Sequence, residues 1–90
     1  MIDFERMVAE QTLVDIILFL VRNENGFGYP QMDRFFSRYK FSVIENGEFM
    51  KTFEQMRQKG VVEWGEKMLV KKGPNWKEPK FVTEKKYGIE

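Results

Sequence analysis

Lys59-Gly60-Val61-Val62-Glu63-Trp64-Gly65-Glu66-Lys67-Met68-Leu69-Val70-Lys71-Lys72-Gly73-Pro74-Asn75-Trp76 is the stretch that decides the fold of this chain. Two short apolar runs, residues 61–64 and 68–71, face each other across the glycine-containing turn Gly65-Glu66-Lys67, which is the pattern of a β-hairpin. Gly73-Pro74-Asn75 breaks the second run. Beyond Pro79, the run Lys80-Phe81-Val82-Thr83 predicts a third, C-terminal strand. The tail Lys85-Lys86-Tyr87-Gly88-Ile89-Glu90 continues it, with Tyr87 or Ile89 pinned to the body.

Upstream of Gly60 the apolar period is helical. Asp3 is placed to cap a first helix running to about Arg22. Leu13, Ile16, Ile17, Leu20 and Val21 have the spacing of a core-facing stripe, and Val14, Leu18 and Phe19 widen it nearly all round. Such a helix needs neighbours on several sides. The turn formers of residues 23–28 end it. Pro30 suits the first turn of a second helix, about 30–39, because its φ is already helical and its missing N–H costs nothing there. Met32, Phe35, Phe36 and Tyr39 form its inner face. Ser42 and Glu45 have capping-box spacing, with Asn46 as the rival cap. Phe49, Met50, Phe53 and Met56 mark a third helix, read here as starting at Asn46 and stopping at Gly60.

The succession of helix, turn and helix from Tyr29 to Lys59, followed by Gly60-Val61-Val62-Glu63-Trp64, resembles the winged-helix domain over nearly the whole chain. Met56-Arg57-Gln58-Lys59-Gly60-Val61-Val62-Glu63 looks like the close of a third helix running into a wing. The resemblance implies an α+β winged helix in one domain over residues 1–90: three helices, a β-hairpin wing and a short C-terminal strand. The link from Lys40 to Glu45 is longer than the tight turn of a simple helix-turn-helix. Winged helices bind both nucleic acid and protein, so the fold leaves function open.

Composition narrows the choice. The chain has no Cys and no His. Disulfides, thiolate metal sites, the commonest metal ligand, the commonest general base and every Ser-His or Cys-His dyad are therefore absent. Glu45 with Glu48, and Glu63 with Glu66, are the nearest carboxylate pairs, and neither carries a pocket signature. Gly26-Phe27-Gly28 lacks the Lys-Ser/Thr and the preceding strand of a phosphate-binding loop. Asp3, Asp15 and Asp33 lack the spacing of a calcium loop. The expectation is a binding module without cofactor or metal, not an enzyme. The longest apolar run, residues 16–21, is far short of the ~20 residues of a membrane span. No signal-peptide pattern opens the chain, so a cytoplasmic protein without a membrane partner is expected.

The net charge of +1 divides unevenly. Residues 1–65 hold eight Lys/Arg against ten Asp/Glu, and residues 66–90 hold seven Lys against four Glu. An acidic helical body thus carries a basic hairpin and tail. A DNA-reading third helix presents Arg, Lys, Asn or Gln to base edges. Here that helix carries Glu45, Glu48 and Glu54, which would face phosphates spaced about every 1.7 Å along the duplex. Lys51 and Arg57 alone oppose them. The hairpin differs, because Lys67, Lys71, Lys72, Lys77 and Lys80 interleave with Trp64 and Trp76, a pattern that suits a nucleic-acid backbone and stacked bases. Strand lysines also protect sheet edges from aggregation, and Trp64 reads equally as hairpin core. Trp76, in its Gly-Pro-Asn loop, reads either as a cover for the end of the core or as a contact surface.

In size and charge layout, with the tail Gly73-Pro74-Asn75-Trp76-Lys77-Glu78-Pro79 through Lys85-Lys86-Tyr87-Gly88, the chain is similar to the small immunity proteins that bacteria pair with polymorphic or contact-dependent toxins. That resemblance implies a protein inhibitor whose partner is a cognate toxin domain, a nuclease above all. Nuclease clefts are basic, so an inhibitor gains by offering carboxylates. The residues expected at the partner are Glu45, Glu48, Glu54, Lys71, Lys72 and Trp76, with Glu10 and Asp15 able to extend the acidic patch. The alternative is a DNA-binding regulator that uses the basic wing, and a third reading is a homodimer joined through the aromatic surface.

Overall fold

The computed structural model describes residues 1–89, which form an α+β fold of six helices and one small antiparallel sheet. The expected first helix is two. Asp3 caps α1 (Phe4–Glu10) as its sequence position predicts, its Oδ1 accepting the Arg6 N–H at 3.1 Å. The chain then extends through Gln11 and Thr12, and α2 (Leu13–Leu20) begins anew. The break has a local cause. The Thr12 hydroxyl accepts the Asp15 N–H at 3.1 Å, so a side chain replaces a helical backbone bond and starts a second helix. From Ile16 onward α2 is buried on all sides, as its all-round apolar sequence requires.

Residues 23–26 turn the chain, and Phe27–Gly28 form β1, a strand that sequence reasoning missed. Gly26 adopts φ +77° there, and a Cβ would lie 2.5 Å from the Val70 carbonyl oxygen, so only glycine lets β1 approach its partner. Pro30 stands in the first turn of α3 (Tyr29–Tyr39), and the Gln31 side chain accepts the Gly28 N–H at 3.1 Å. The link that follows is itself helical: α4 (Phe41–Glu45) buries Val43 and lies between α3 and α5. Ser42 and Glu45 are inside this helix and do not form a capping box.

Helix α5 (Glu48–Gln58) starts two residues later than Asn46. Asn46 Oδ1 accepts the Glu48 N–H at 2.9 Å, and Gly47 takes φ +77° outside the helix, so it imposes no interior-glycine cost. Phe49, Phe53 and Met56 are buried, and Gly60 at φ +72° ends the element as expected.

The hairpin is present as β2 (Val62–Trp64) and β3 (Leu69–Lys72), in the register Val62↔Lys72, Glu63↔Lys71, Trp64↔Val70. Its connection includes Met68 as well as the expected turn, with Lys67 and Met68 both left-handed. β1 pairs with the other side of β3, so the sheet order is β1-β3-β2. After β3, Asn75 ties the loop back to the end of α5, its N–H and its Nδ2 donating to the carbonyls of Gly60 at 2.9 Å and Lys59 at 2.8 Å.

The expected C-terminal strand is instead a single helical turn, α6 (Lys80–Thr83). Pro79 caps it, accepting the Val82 N–H at 3.0 Å, and the turn places the Phe81 ring 5.7 Å from Phe19 and 5.6 Å from Tyr87. One buried aromatic in a four-residue run carries no strand period to compete with that packing. The tail does not continue as a strand, because residues 86–88 form a 3-10 turn and Glu90 lies outside the described residues, but Tyr87 and Ile89 are both buried, so it is pinned as the sequence predicts. Among the described residues, no helix is long and apolar enough to cross a membrane.

Candidate functional site

The face built by α3, α4 and α5 carries a groove of about 220 Å³, lined by Tyr29, Asp33, Val43, Ile44, Phe49 and Met50. Its floor is made by the core side of α5, where the Phe49 ring stacks on Tyr29 at 5.4 Å. Its lip is apolar and open: Met50 is 67% exposed. Trp64, 45% exposed, extends the strip from the hairpin, with its ring 5.6 Å from Tyr29 and 5.2 Å from Phe53. A run of exposed sulfur and aromatic surface of this kind is what a protein partner covers.

Carboxylates adjoin these lining residues in sequence. Glu45 closes α4 next to Ile44, and Glu48 opens α5 next to Phe49; both are exposed, and neither has an ion-pair partner among the described residues. Asp33, which sequence reasoning left out of the acidic patch, lines the groove itself. Its position was legible in principle, because Tyr29 and Asp33 are four residues apart on one helix. The Tyr29 hydroxyl is pushed above its ordinary value by partial burial first and by Asp33 second.

Glu54 does not belong with them. Arg57 holds it through two of its guanidinium nitrogens, Nη2 on Oε1 and Nε at 3.0 Å from Oε2, and this pairing depresses the carboxyl. Its charge is spent within the helix. Glu10 is likewise engaged, accepting the Tyr87 hydroxyl at 2.7 Å and Arg6 Nε at 3.1 Å, while Asp15 sits at the start of α2. Neither lines the groove.

Of the lysines predicted to surround the tryptophans, only Lys71 and Lys72 lie on a strand, and they fall on opposite faces of the sheet. Lys71 is exposed opposite Glu63, while Lys72 lies opposite the buried Val62 and points its Nζ to 4.3 Å from the centre of the Trp76 ring. Trp76 is half-buried, and its indole N–H donates to the Leu18 carbonyl at 3.0 Å. Of its two sequence readings, covering the end of the core is the one this geometry supports; the ring is no protruding anchor. Trp64 and Met50 are large apolar side chains that stay exposed. No group of three or more acidic side chains able to hold a metal ion exists among the described residues. Comparison with protein-family profiles, curated proteins and solved structures gives no significant match to this chain.

Proposed function

We propose that this chain is a winged-helix protein that binds and neutralises a cognate protein toxin, of nuclease type, by occluding its basic active-site cleft. Support for the finer fold comes from the short strand β1 ahead of the helix pair and from a three-stranded sheet that closes with the hairpin in its centre and at one edge. The hairpin is then the wing and α5 the third helix. The observation that carries the functional reading is the groove: an apolar strip of Met50, Tyr29 and Trp64 with Asp33 in its lining, and with Glu45 and Glu48 next in sequence to lining residues, none of the three in an ion pair among the described residues. Apolar anchors supply affinity, and the flanking carboxylates select a basic partner. A duplex would be repelled at this face.

The test is whether the neighbouring gene encodes a toxin domain, and whether this chain protects cells from that domain and inhibits it in a nuclease assay in vitro. Glu45→Lys with Glu48→Lys should weaken that complex about tenfold or more without unfolding the protein. Unchanged protection would remove the acidic groove from the interface.

The second reading, a DNA-binding regulator, draws on the exposed Lys67 and Lys71 of the hairpin. Fluorescence anisotropy with mixed-sequence duplex at low salt separates the two. Tight binding with a steep salt dependence, lost on Lys67→Glu plus Lys71→Glu, would favour DNA over toxin.

A further inference from the structure

A second concavity, of about 630 Å³, shares no lining residue with the groove. Arg22, Asn23, Lys72, Trp76, Glu78 and Ile89 contribute to its wall. Its two side-chain cations are held in place by their packing. Arg22 Nη1 donates to the Phe19 carbonyl at 2.9 Å while the guanidinium carbon sits 3.9 Å over the Phe19 ring. That bond occupies one of five guanidinium donors. Lys72 rests against Trp76, and Trp76 is itself fixed by its bond to Leu18. Neither cation forms an ion pair with any described residue.

We propose that this cleft binds a small oxyanion, a phosphate or carboxylate group, with Arg22 and Lys72 as its cationic ligands and the Asn23 amide as a neutral one. Side chains already immobilised lose little entropy on binding, so a charge-assisted hydrogen bond to each is retained as affinity. Arg22 is also partly desolvated, which lowers its pKa and leaves it short of the hydration an exposed guanidinium enjoys. An incoming anion restores that stabilisation. Glu78 is the carboxylate in the wall, and its Oε2 accepts the Thr83 hydroxyl at 2.8 Å. It opposes the anion and sets an upper limit on affinity. In this role Lys72 and Trp76 serve a small ligand and not the protein partner of the groove, and the site stands or falls independently of the toxin reading.

The experiment titrates inorganic phosphate and, separately, citrate into the full chain carrying Trp64→Phe, so that Trp76 is the fluorophore. Ionic strength is held constant with chloride. Saturable quenching, with saturable shifts of the Trp76 indole and Arg22 Nε–H resonances, is expected for one or both anions. The stronger of the two identifies the group. Lys72→Gln and Arg22→Lys should each weaken binding about tenfold or more, and Glu78→Gln should tighten it. Arg22→Lys keeps the charge and tests the guanidinium geometry, and Lys72→Gln leaves the Phe19 packing intact. A response no larger than that to added chloride, or saturable binding unaltered in both variants, overturns the proposal.

Discussion

The indole N–H of Trp76 donates to the carbonyl of Leu18 at 3.0 Å, across 58 residues of sequence. Leu18 lies in the last turn of α2, where carbonyls lack an intrahelical partner, so a loop tryptophan completes the end of the central helix. Trp76→Phe keeps most of the ring and removes the donor, and should cost about 1 kcal/mol in urea denaturation. Trp76→Ala also uncovers the end of the core and should cost roughly 3 kcal/mol. Equal stability of the phenylalanine variant and the parent would show that the bond contributes nothing.

Two glycines should respond differently to the same substitution. A Cβ on Gly73 would lie 2.1 Å from the Gly60 carbonyl oxygen, a backbone atom that cannot swing aside. Gly73→Ala should therefore cost about 3 kcal/mol or more, measured by thermal melting. Gly47 has the left-handed φ of +77° but open space around it, so Gly47→Ala should cost only about 1–2 kcal/mol of backbone strain.

Thr12 separates α1 from α2 by capping the second. Thr12→Ala should destabilise by about 1 kcal/mol, and Thr12→Ser should restore most of it, because the hydroxyl is the group used. Chemical denaturation of the pair against the parent checks this.

The Tyr87 hydroxyl, and secondly Arg6, hold the Glu10 carboxyl below its ordinary value of 4.5. A depressed folded-state pKa gives stabilisation that is present above the unfolded value and is lost as pH falls through the folded one. The parent Tm should thus fall more steeply than that of Tyr87→Phe as pH drops below 4.5. Parallel curves would mean that Glu10 does not couple to folding through this hydroxyl.

Met50→Glu tests the groove without touching the core. At 67% exposure the side chain contributes little packing, so stability should stay within about 0.5 kcal/mol of the parent. Toxin protection should nonetheless fall, since the change removes an apolar anchor. Full protection with Glu at this position would move the interface elsewhere.

The sequence made α5 and the hairpin legible because each has a period long enough to read: Phe49, Phe53 and Met56 for the helix, and the two apolar runs about Gly65 for the strands. Other elements have no period. β1 is two residues long and exists through its pairing with β3, a contact between Phe27 and Val70 that nothing local announces. α6 is four residues, too short for a helical pattern to separate from a strand. The break at Thr12 falls at the polar run Glu10-Gln11-Thr12, which a helix can carry on a solvent face as readily as it can end there. At the candidate site, Glu45 and Glu48 were visible from their charge alone. That Glu54 is neutralised by Arg57, and that Asp33 joins the groove while Trp76 turns inward, depends on side-chain geometry that spacing leaves open.

The pairing of Gly28 with Leu69 has a mechanical consequence. Tyr29, the first residue of α3, directly follows Gly28, and its ring touches Trp64 of the hairpin. The segment from α3 through α5 is thereby a loop clamped at both ends by one sheet. A side chain wedged between α3 and α5 is therefore expected to be felt at the strand that carries Leu69. The amide of Leu69 and the methyl of the exposed Met68 should then shift when the groove is filled, although neither residue lines it.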